Sequence, residues 1–243
     1  MTDGDQAPFL NALWTVLSRE RLEGGYGGSG MPRPDVLTRY LWNMALCEAL
    51  YPSLQAIEVA LRNTLFSAAE VVYPFNGTPG HDQIACWLDI PGILLGDEPK
   101  RVAAAKSRLR DVNLPLEASR VVAELTLGFW TALFDVRYEN TRILWPRLFA
   151  QKIFAYAPKS KRSRKALSPL LNRMRLLRNR AFHHEPVWHW KDLRDQHALS
   201  LDLIGWMSPA LRETVEALDR FDAVYSNGLE PFREIVTRLT HAA

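Results

Sequence analysis

The amino-acid sequence predicts an all-α fold, and three observations lead to this class. Nearly every segment between turn signals carries apolar residues at spacings of three and four, which is the repeat of an amphipathic helix. Strict alternation over five or more residues, the pattern of a half-buried strand, is scarce. With 47% hydrophobic residues in a chain of 243, a sizeable core can form. We therefore expect a single helical domain over residues 1–243, interrupted by one long irregular loop.

The N-terminal part predicts one helix over residues 6–23 and a Gly-rich loop over 24–30. The glycines end the helix because Gly is unfavourable in a helix interior. A Gly-rich loop can also cradle a phosphate, but here no Lys-Ser/Thr pair follows and no apolar strand precedes, so this interpretation is disfavoured. We treat the helix and loop as a candidate appendage to a core of about 34–225.

The next part predicts two helices, over 34–51 and 52–73, with Pro52 in the first turn of the second. The segment 74–99 is rich in Pro and Gly and predicts a long surface loop. Its apolar residues are expected to pack on the core: Trp87, Ile90, Ile93, Leu94 and Leu95.

Helical periodicity resumes over 101–111 and from Leu116 to about Tyr138. Phe129, Trp130 and Phe134 could form a stacking platform for bases, but at helical spacing they favour plain core.

A short helix is expected after Pro146, and a long one begins at about Ser160 or Ser168 and reaches His184. Pro186 cannot continue that helix without losing a backbone hydrogen bond, so the helix must end or kink just before it. The remaining helices are predicted at about 193–206, 209–225 and 229–240.

Charge is distributed unevenly, although the net charge is only +3. Between Asn140 and His184 there are twelve Lys and Arg and no acid, while the rest of the chain carries 18 Lys and Arg against 27 Asp and Glu. Such a block repels itself unless something anionic offsets it, which favours binding of a polyanion over a merely solvated helix face. The twelve are Arg142, Arg147, Lys152, Lys159, Lys161, Arg162, Arg164, Lys165, Arg173, Arg175, Arg178 and Arg180.

Cys47 and Cys86 have apolar neighbours and no metal-ligand spacing, so we expect buried thiols in a reducing compartment and no disulfide. The acids in residues 1–5 are unlike a signal peptide, and no apolar stretch is long enough for a membrane span. A soluble cytoplasmic protein is the expectation.

Residues 178–184 combine Arg, Asn and His at the end of the basic helix. Asn179 and His183 lie four apart and share a helix face, and Arg178 lies about a turn and a half from His183. This set suits phosphodiester transesterification in RNA, where the 2′-hydroxyl is the nucleophile and no cofactor is needed. His can move protons near neutral pH, and Arg can hold the phosphate oxygens.

Arg178 to His183 resembles the R-x(4–6)-H motif of HEPN domains, and the run from Leu176 to Pro186 is similar to the Abi-like (abortive infection) branch. Further likeness lies at 39–43, 51–63 and 123–130, so it covers roughly 39–221.

The resemblance implies an all-α HEPN-type helical bundle with extra helices, pairing as a homodimer with a composite cleft. It implies a metal-independent endoribonuclease that acts as a toxin or in phage defence. In such an enzyme Arg178 would bind the phosphate, Asn179 would be the orienting residue of the site, and His183 would be the general acid or base. His184 is the alternative for that role, and a Glu at position 185 argues against control by modification of a Tyr there. An antitoxin or regulatory partner is left open. RNA would contact Lys159, Lys161, Arg162, Arg164, Lys165, Arg173, Arg175 and Arg180.

Other interpretations remain beside this one. His183, His184, Glu185 and His189 suggest a zinc site, but Pro186 breaks the shared helix face and no second ligand cluster exists in the sequence. A non-catalytic RNA- or nucleotide-binding HEPN module and a purely structural, dimerising helical protein are the other two alternatives.

Overall fold

The helical periodicity of the sequence is realised along the described chain. The computed structural model describes residues 7–28, 30–78, 80, 82–151 and 153–241. These residues form α-helices and short 3-10 turns and no strand, which confirms the all-α prediction. Gln6, Ser29 and Lys152, which entered the predictions above, lie outside the described residues.

The α-helices follow the chain in simple order, and the first six precede the basic block. They are α1 Ala7–Leu17, α2 Arg19–Tyr26, α3 Arg33–Val72, α4 Glu98–Asp111, α5 Ala118–Glu124 and α6 Leu127–Ala132. The remainder are α7 Val136–Asn140, α8 Arg164–Phe182, α9 Leu193–Met207, α10 Pro209–Glu216, α11 Phe221–Asn227 and α12 Glu230–His241.

The N-terminal prediction was wrong in two respects. The expected single helix breaks at Ser18, whose φ is 63° and whose hydroxyl accepts a hydrogen bond from the Arg21 N–H to cap α2. In addition, α2 continues through Gly24 and Gly25 to Tyr26, so only the later glycines lie outside a helix. The complete burial of Tyr26 explains why packing overrides the low helix propensity of the glycine pair.

Helix α3 is one helix of 40 residues, which corrects the prediction of two helices meeting at Pro52. Proline inside a helix costs about 3 kcal/mol. On either side of it, Leu50 and Leu54 are fully buried, and burying one such side chain contributes roughly 1.5–3 kcal/mol. The apolar stripe therefore offsets the local cost, and the helix runs on.

The helix predicted from 116 to 138 is instead three short helices, α5, α6 and α7. The first break is held by side chains, because the Leu127 N–H donates to Glu58 Oε1 at 3.1 Å and the Trp130 indole donates to the Leu125 carbonyl at 3.3 Å. Polar groups freed from the helix ladder are thus satisfied by distant partners, which a local pattern does not reveal.

The second break, at 133–135, is held in the same way. The Trp145 indole donates to the Leu133 carbonyl at 2.7 Å, and the Asp135 carboxylate caps α7 by accepting from the Arg137 N–H at 2.9 Å. The prediction of one helix at 209–225 was also wrong, because this segment forms two helices, α10 and α11. Between them, Asp219 accepts a hydrogen bond from the Phe221 N–H at 2.8 Å.

The described chain divides into two compact units, each assembled from separate segments. The first takes the residues up to 53 together with 176–198 and those from 217 onward, and the second takes 54–175 and 199–216. The prediction of a single domain stays a prediction.

The first unit contains a cluster of buried apolar residues from the N-terminal helices, α3 and α12. Its members are Leu10, Trp14, Leu22, Tyr26, Val36, Leu37 and Val236. The predicted appendage, helices α1 and α2, therefore contributes core residues.

The second unit is built around aromatic side chains. Phe129, Trp130 and Phe134 are at most 1% exposed, which confirms that they are core rather than a stacking platform. Phe134 also packs on Trp145, with ring centroids 4.6 Å apart.

The described residues of the segment predicted as a long loop, 73–78, 80 and 82–97, are irregular apart from one 3-10 turn at Trp87–Asp89. Trp87, Ile93 and Leu94 are buried as expected, whereas Ile90 and Leu95 are only half-buried. None of the described helices is both long enough and apolar enough to cross a membrane.

Candidate functional site

Helix α8 ends in a Schellman motif, the common arrangement in which a left-handed residue closes a helix. The Glu185 N–H donates to the Arg180 carbonyl at 2.9 Å and the His184 N–H donates to the Ala181 carbonyl at 3.2 Å. Pro186 follows directly. The predicted motif thus lies at a helix terminus, as the proline in the sequence indicated.

His184 occupies the left-handed position of this motif, with φ at 60°. Glycine usually fills that position, because a side chain there costs roughly 1–2 kcal/mol. Backbone strain of this kind is common at functional sites, and here it occurs at His184 and not at His183.

His183 continues the backbone of the helix by one hydrogen bond, since its N–H donates to the Asn179 carbonyl at 2.9 Å. Its imidazole is exposed and Asn179 is half-buried. The two residues are therefore joined through the backbone, and the His183 ring is open to solvent at the end of α8.

Arg178 is ordered by an aromatic contact. Its guanidinium carbon lies 4.6 Å from the centroid of the Phe182 ring, and that ring stacks on Tyr51 with centroids 5.3 Å apart and planes 16° apart. Arg178 is half-buried. The stacked rings hold the guanidinium of Arg178 in place about a turn and a half before the histidines.

A cavity of about 940 Å³ lies beside this helix end within the first unit. His184 lines it, whereas Arg178, Asn179 and His183 do not. The other lining residues are Val16, Leu17, Arg21, Tyr26, Tyr40, Asn43, Met44, Cys47, Glu48, Tyr51, Pro52, Ala181, Phe182 and Arg220.

Polar contacts connect the cavity to the motif. Arg21 Nη2 donates to the His184 carbonyl at 2.5 Å, which ties α2 to the strained residue. Asn43 accepts from the N–H groups of Val187 and Trp188 at 2.8 and 3.1 Å, and so fixes the chain after Pro186. The turn that carries the histidines is thus held on both sides.

Burial controls the ionisation of two other groups in the cavity wall. It raises the pKa of the Cys47 thiol to about 11 and that of the Tyr26 hydroxyl to about 12. Both groups are therefore neutral at physiological pH, and neither is an activated nucleophile.

The structure gives some of the predicted RNA-binding residues internal partners. Arg180 pairs with Glu185 at 3.2 Å, donates to the Pro186 carbonyl at 3.2 Å and lies 5.4 Å from the Trp190 ring centroid. Its first role is to hold the turn after α8.

Arg164 and Arg162 also have internal partners. Arg164 donates to Glu139 at 2.6 Å and to the Phe134 carbonyl at 3.1 Å, and Arg162 donates to the carbonyls of Ala155 and Ala157 at 2.7 Å each. Glu139 and Glu185 lie just outside the acid-free segment, so acids at its two edges offset part of its charge. Of the remaining predicted residues, Lys159, Lys161 and Lys165 are exposed, and Arg173 and Arg175 are half-buried.

Sequence reasoning missed Arg21, Tyr26 and Asn43. Arg21 and Tyr26 belong to the segment predicted as an appendage, and Asn43 lies in the segment 39–43, for which the sequence indicated a family likeness but no role at the site. Only a contact across 163 residues, from Arg21 to His184, reveals the connection.

Within the described residues, no three His, Cys, Asp or Glu side chains are grouped so as to hold a metal ion. Comparison of the chain with protein-family models, with curated proteins and with solved structures finds no match.

Proposed function

We propose that this chain is a metal-independent endoribonuclease of the HEPN type. The observation that carries the proposal is the end of α8, where two exposed imidazoles, one on a strained residue, follow an ordered arginine within a basic segment. Arg, His and a nearby amide form a set that can cleave RNA without any further group, because the RNA supplies its own nucleophile.

In the proposed reaction the 2′-oxygen attacks phosphorus and its proton passes to a histidine acting as base. The bond from phosphorus to the 5′-oxygen breaks, and that oxygen takes a proton from a second histidine acting as acid. The products are a 2′,3′-cyclic phosphate and a 5′-hydroxyl. His183 is the first candidate for proton transfer and His184 the second, while Arg178 holds the phosphate oxygens and Asn179 orients an imidazole.

A homodimer would bring two copies of this helix end into one composite cleft. Exposed apolar side chains line the cavity in the first unit, with Val16 82% and Met44 53% exposed, and such surface supports a protein partner. We further propose a role in phage defence, as a toxin acting in the cytoplasm.

The deciding assay incubates purified protein with total RNA in the presence of EDTA and maps the cut ends. We expect 2′,3′-cyclic phosphate ends. His183→Ala should reduce cleavage by about 10²-fold or more, the usual contribution of acid-base catalysis, and should leave RNA binding unchanged. Lys191→Ala, an exposed cation outside the motif, is the matched control. Intact RNA with the wild-type protein, together with normal growth of cells that express it, would refute the proposal.

Subunit mixing tests the composite cleft. His183→Ala and Arg178→Ala chains, each inactive alone, should regain part of the activity when they are combined, because the composite cleft of the mixed dimer keeps one Arg178 and one His183. No recovery in a mixture shown to contain heterodimers would contradict a shared cleft.

The second candidate is a non-catalytic RNA- or nucleotide-binding module. It is favoured by the lining of the cavity in the first unit, which contains the aromatic side chains of Tyr26, Tyr40, Tyr51 and Phe182. The predicted catalytic residues Arg178, Asn179 and His183 do not line this cavity. Binding of RNA by the wild-type protein without any cleavage would support this alternative.

A further inference from the structure

The second unit contains a polar cavity of its own, formed between α4, α6 and the part of α8 from Arg164 to Arg175. Its volume is about 610 Å³. Four of its lining side chains are cations, namely Arg101, Arg164, Lys165 and Arg175, and one, Asp135, is an acid. A concave site with this excess of positive charge focuses the field on whatever occupies it.

Two of the cations approach the same point of the backbone. A Cβ atom built on Gly128 in α6 would lie 4.0 Å from Arg101 Nη1 and 3.9 Å from Arg175 Cδ. Arg175 is held in this position by the side chain of Asn172, whose Oδ1 accepts from Arg175 Nε at 3.2 Å and from Arg175 Nη2 at 2.7 Å. Like charges brought together from two helices are unfavourable unless an anion offsets them.

The acids near the cavity are Asp135, Glu139 and Glu58, whose Oε1 accepts from the Leu127 N–H beside Gly128, and the four cations of the lining outnumber them. Glu139 pairs with Arg164 at 2.6 Å, and Asp135 accepts from the Arg137 N–H as the cap of α7. Arg101 and Lys165 are exposed on α4 and α8. Their charges are therefore available to a ligand at the mouth of the cavity.

The lining also indicates which part of a ligand the cavity would hold. Thr131, Ser168 and Asn172 add hydroxyl and amide groups, while none of the lining residues that the structure describes is aromatic. A nucleobase is usually held by stacking on an aromatic ring, whereas a phosphate needs cations and hydrogen-bond donors. The chemistry of the wall fits a phosphate and not a base.

We propose that this cavity binds a backbone phosphate of single-stranded RNA, without reading the base. The assignment to RNA rests on the proposed function, and the shared chemistry, a phosphate held by Arg101, Lys165 and Arg175, would equally suit a free polyphosphate. RNA is the assigned source because Lys165 and Arg175 belong to the basic segment 140–184, in which Lys159 and Lys161 are also exposed and give a polymer further cations to contact.

The test measures binding of a labelled short oligouridylate by the His183→Ala protein, so that the probe stays intact whether or not the chain is a nuclease. In this background Arg101→Ala and Lys165→Ala should each weaken binding several-fold at low salt. Arg101→Ala should also reduce the slope of log affinity against log salt by about 0.7, the value for one phosphate contact on a single strand. Lys100→Ala is the matched control, because Lys100 neighbours Arg101 on α4, pairs with Asp97 and does not line the cavity.

Gly128→Asp gives a second, independent variant. The added carboxylate would lie beside Arg101 and Arg175 and occupy the place of the phosphate, while the backbone, in the first turn of α6, favours an acid. We expect an unchanged melting temperature and a loss of RNA binding of about tenfold or more. Binding within twofold of the parent protein for all three cavity variants would overturn the proposal.

Competition distinguishes the source of the phosphate. An unlabelled oligouridylate should displace the probe, and inorganic pyrophosphate at the same phosphate concentration should not. Displacement by pyrophosphate as complete as displacement by the oligonucleotide would overturn the assignment to RNA. Failure of cleavage in the assay above leaves these binding results interpretable, so the two proposals can fail separately.

Discussion

At the scale of single residues, the feature that most distinguishes the site is the left-handed backbone of His184. The Schellman motif satisfies the last carbonyls of α8, yet the position that glycine would fill without strain holds an imidazole. Left-handed backbone also occurs at Ser18, Ala85, Asn113 and Arg142, so the strain at His184 supports a role in proton transfer or substrate contact only together with its exposed imidazole beside the cavity.

If His184 serves function at the expense of stability, replacing it with glycine should make the protein more stable. His184→Gly should raise the free energy of unfolding by roughly 0.5–1 kcal/mol, because relief of left-handed strain exceeds the added entropy of the unfolded chain. Urea denaturation of the variant measures the difference. His184→Ala is the control and should give no such gain, since alanine keeps the strain. Equal stability of the two variants would show that the strain is negligible.

Among the predicted residues, Arg178 and His183 could be found from sequence because the spacing and the following Pro186 are local features. Arg21 could not, because its contact with the His184 carbonyl joins residues far apart in the chain. The same limit applies to Arg101, which is separated from Arg175 by 74 residues in the sequence, although both side chains lie near Gly128 and line the same cavity.

At the scale of helices, hydrogen bonds from buried indoles decide where helices end. The region from 116 to 138 has continuous helical periodicity, but it divides where Trp130 and Trp145 donate to the carbonyls of Leu125 and Leu133. A carbonyl that leaves the helix ladder in the core needs such a partner, since an unsatisfied buried group costs about 1–3 kcal/mol.

Two buried tryptophans provide a matched test of this idea. Trp145 and Trp87 are both fully buried, but the Trp87 indole N–H has no hydrogen-bond partner among the described residues. Trp145→Phe should therefore lower the free energy of unfolding by at least about 1 kcal/mol more than Trp87→Phe, although both remove the same volume. Chemical denaturation of the two variants measures it. A larger loss for Trp87→Phe would contradict the proposed role of the indole at the break.

At the scale of the whole molecule, several groups are kept neutral by burial. Burial raises the pKa of Cys86 to about 12, beside the values of about 11 for Cys47 and about 12 for Tyr26. The folded protein therefore keeps protons on these groups at alkaline pH, where the unfolded chain would release them. By linkage, their contribution to stability is complete below the unfolded pKa and is lost as the pH rises.

We accordingly predict that the protein loses stability as the pH rises above about 8.5, the ordinary pKa of a thiol. Between that pH and about 11, the Cys86 thiol should contribute a slope of about 1.4 kcal/mol per pH unit. Guanidinium denaturation across this range measures the slope. Cys86→Val, which keeps a buried apolar side chain, should make it shallower by that amount, and an unchanged slope in the variant would contradict the linkage.

The sequence alone determined the helical class, the basic segment and the end of α8 before Pro186, because periodicity, charge and proline geometry act within a few residues. Tertiary structure decided the rest. Leu50 and Leu54 are buried along an α3 that continues through Pro52, and Tyr26 is buried at the end of an α2 that continues through two glycines. Hydrogen bonds with Glu58, an acceptor, and Trp145, a donor, divide the helix predicted at 116–138. The cavities arise in the same way, since each is lined by segments that are far apart in the chain. The helix propensities of single residues amount to about 1–3 kcal/mol. Apolar burial and buried hydrogen bonds contribute free energies of equal or larger magnitude, and which residues they involve is known only from the folded structure.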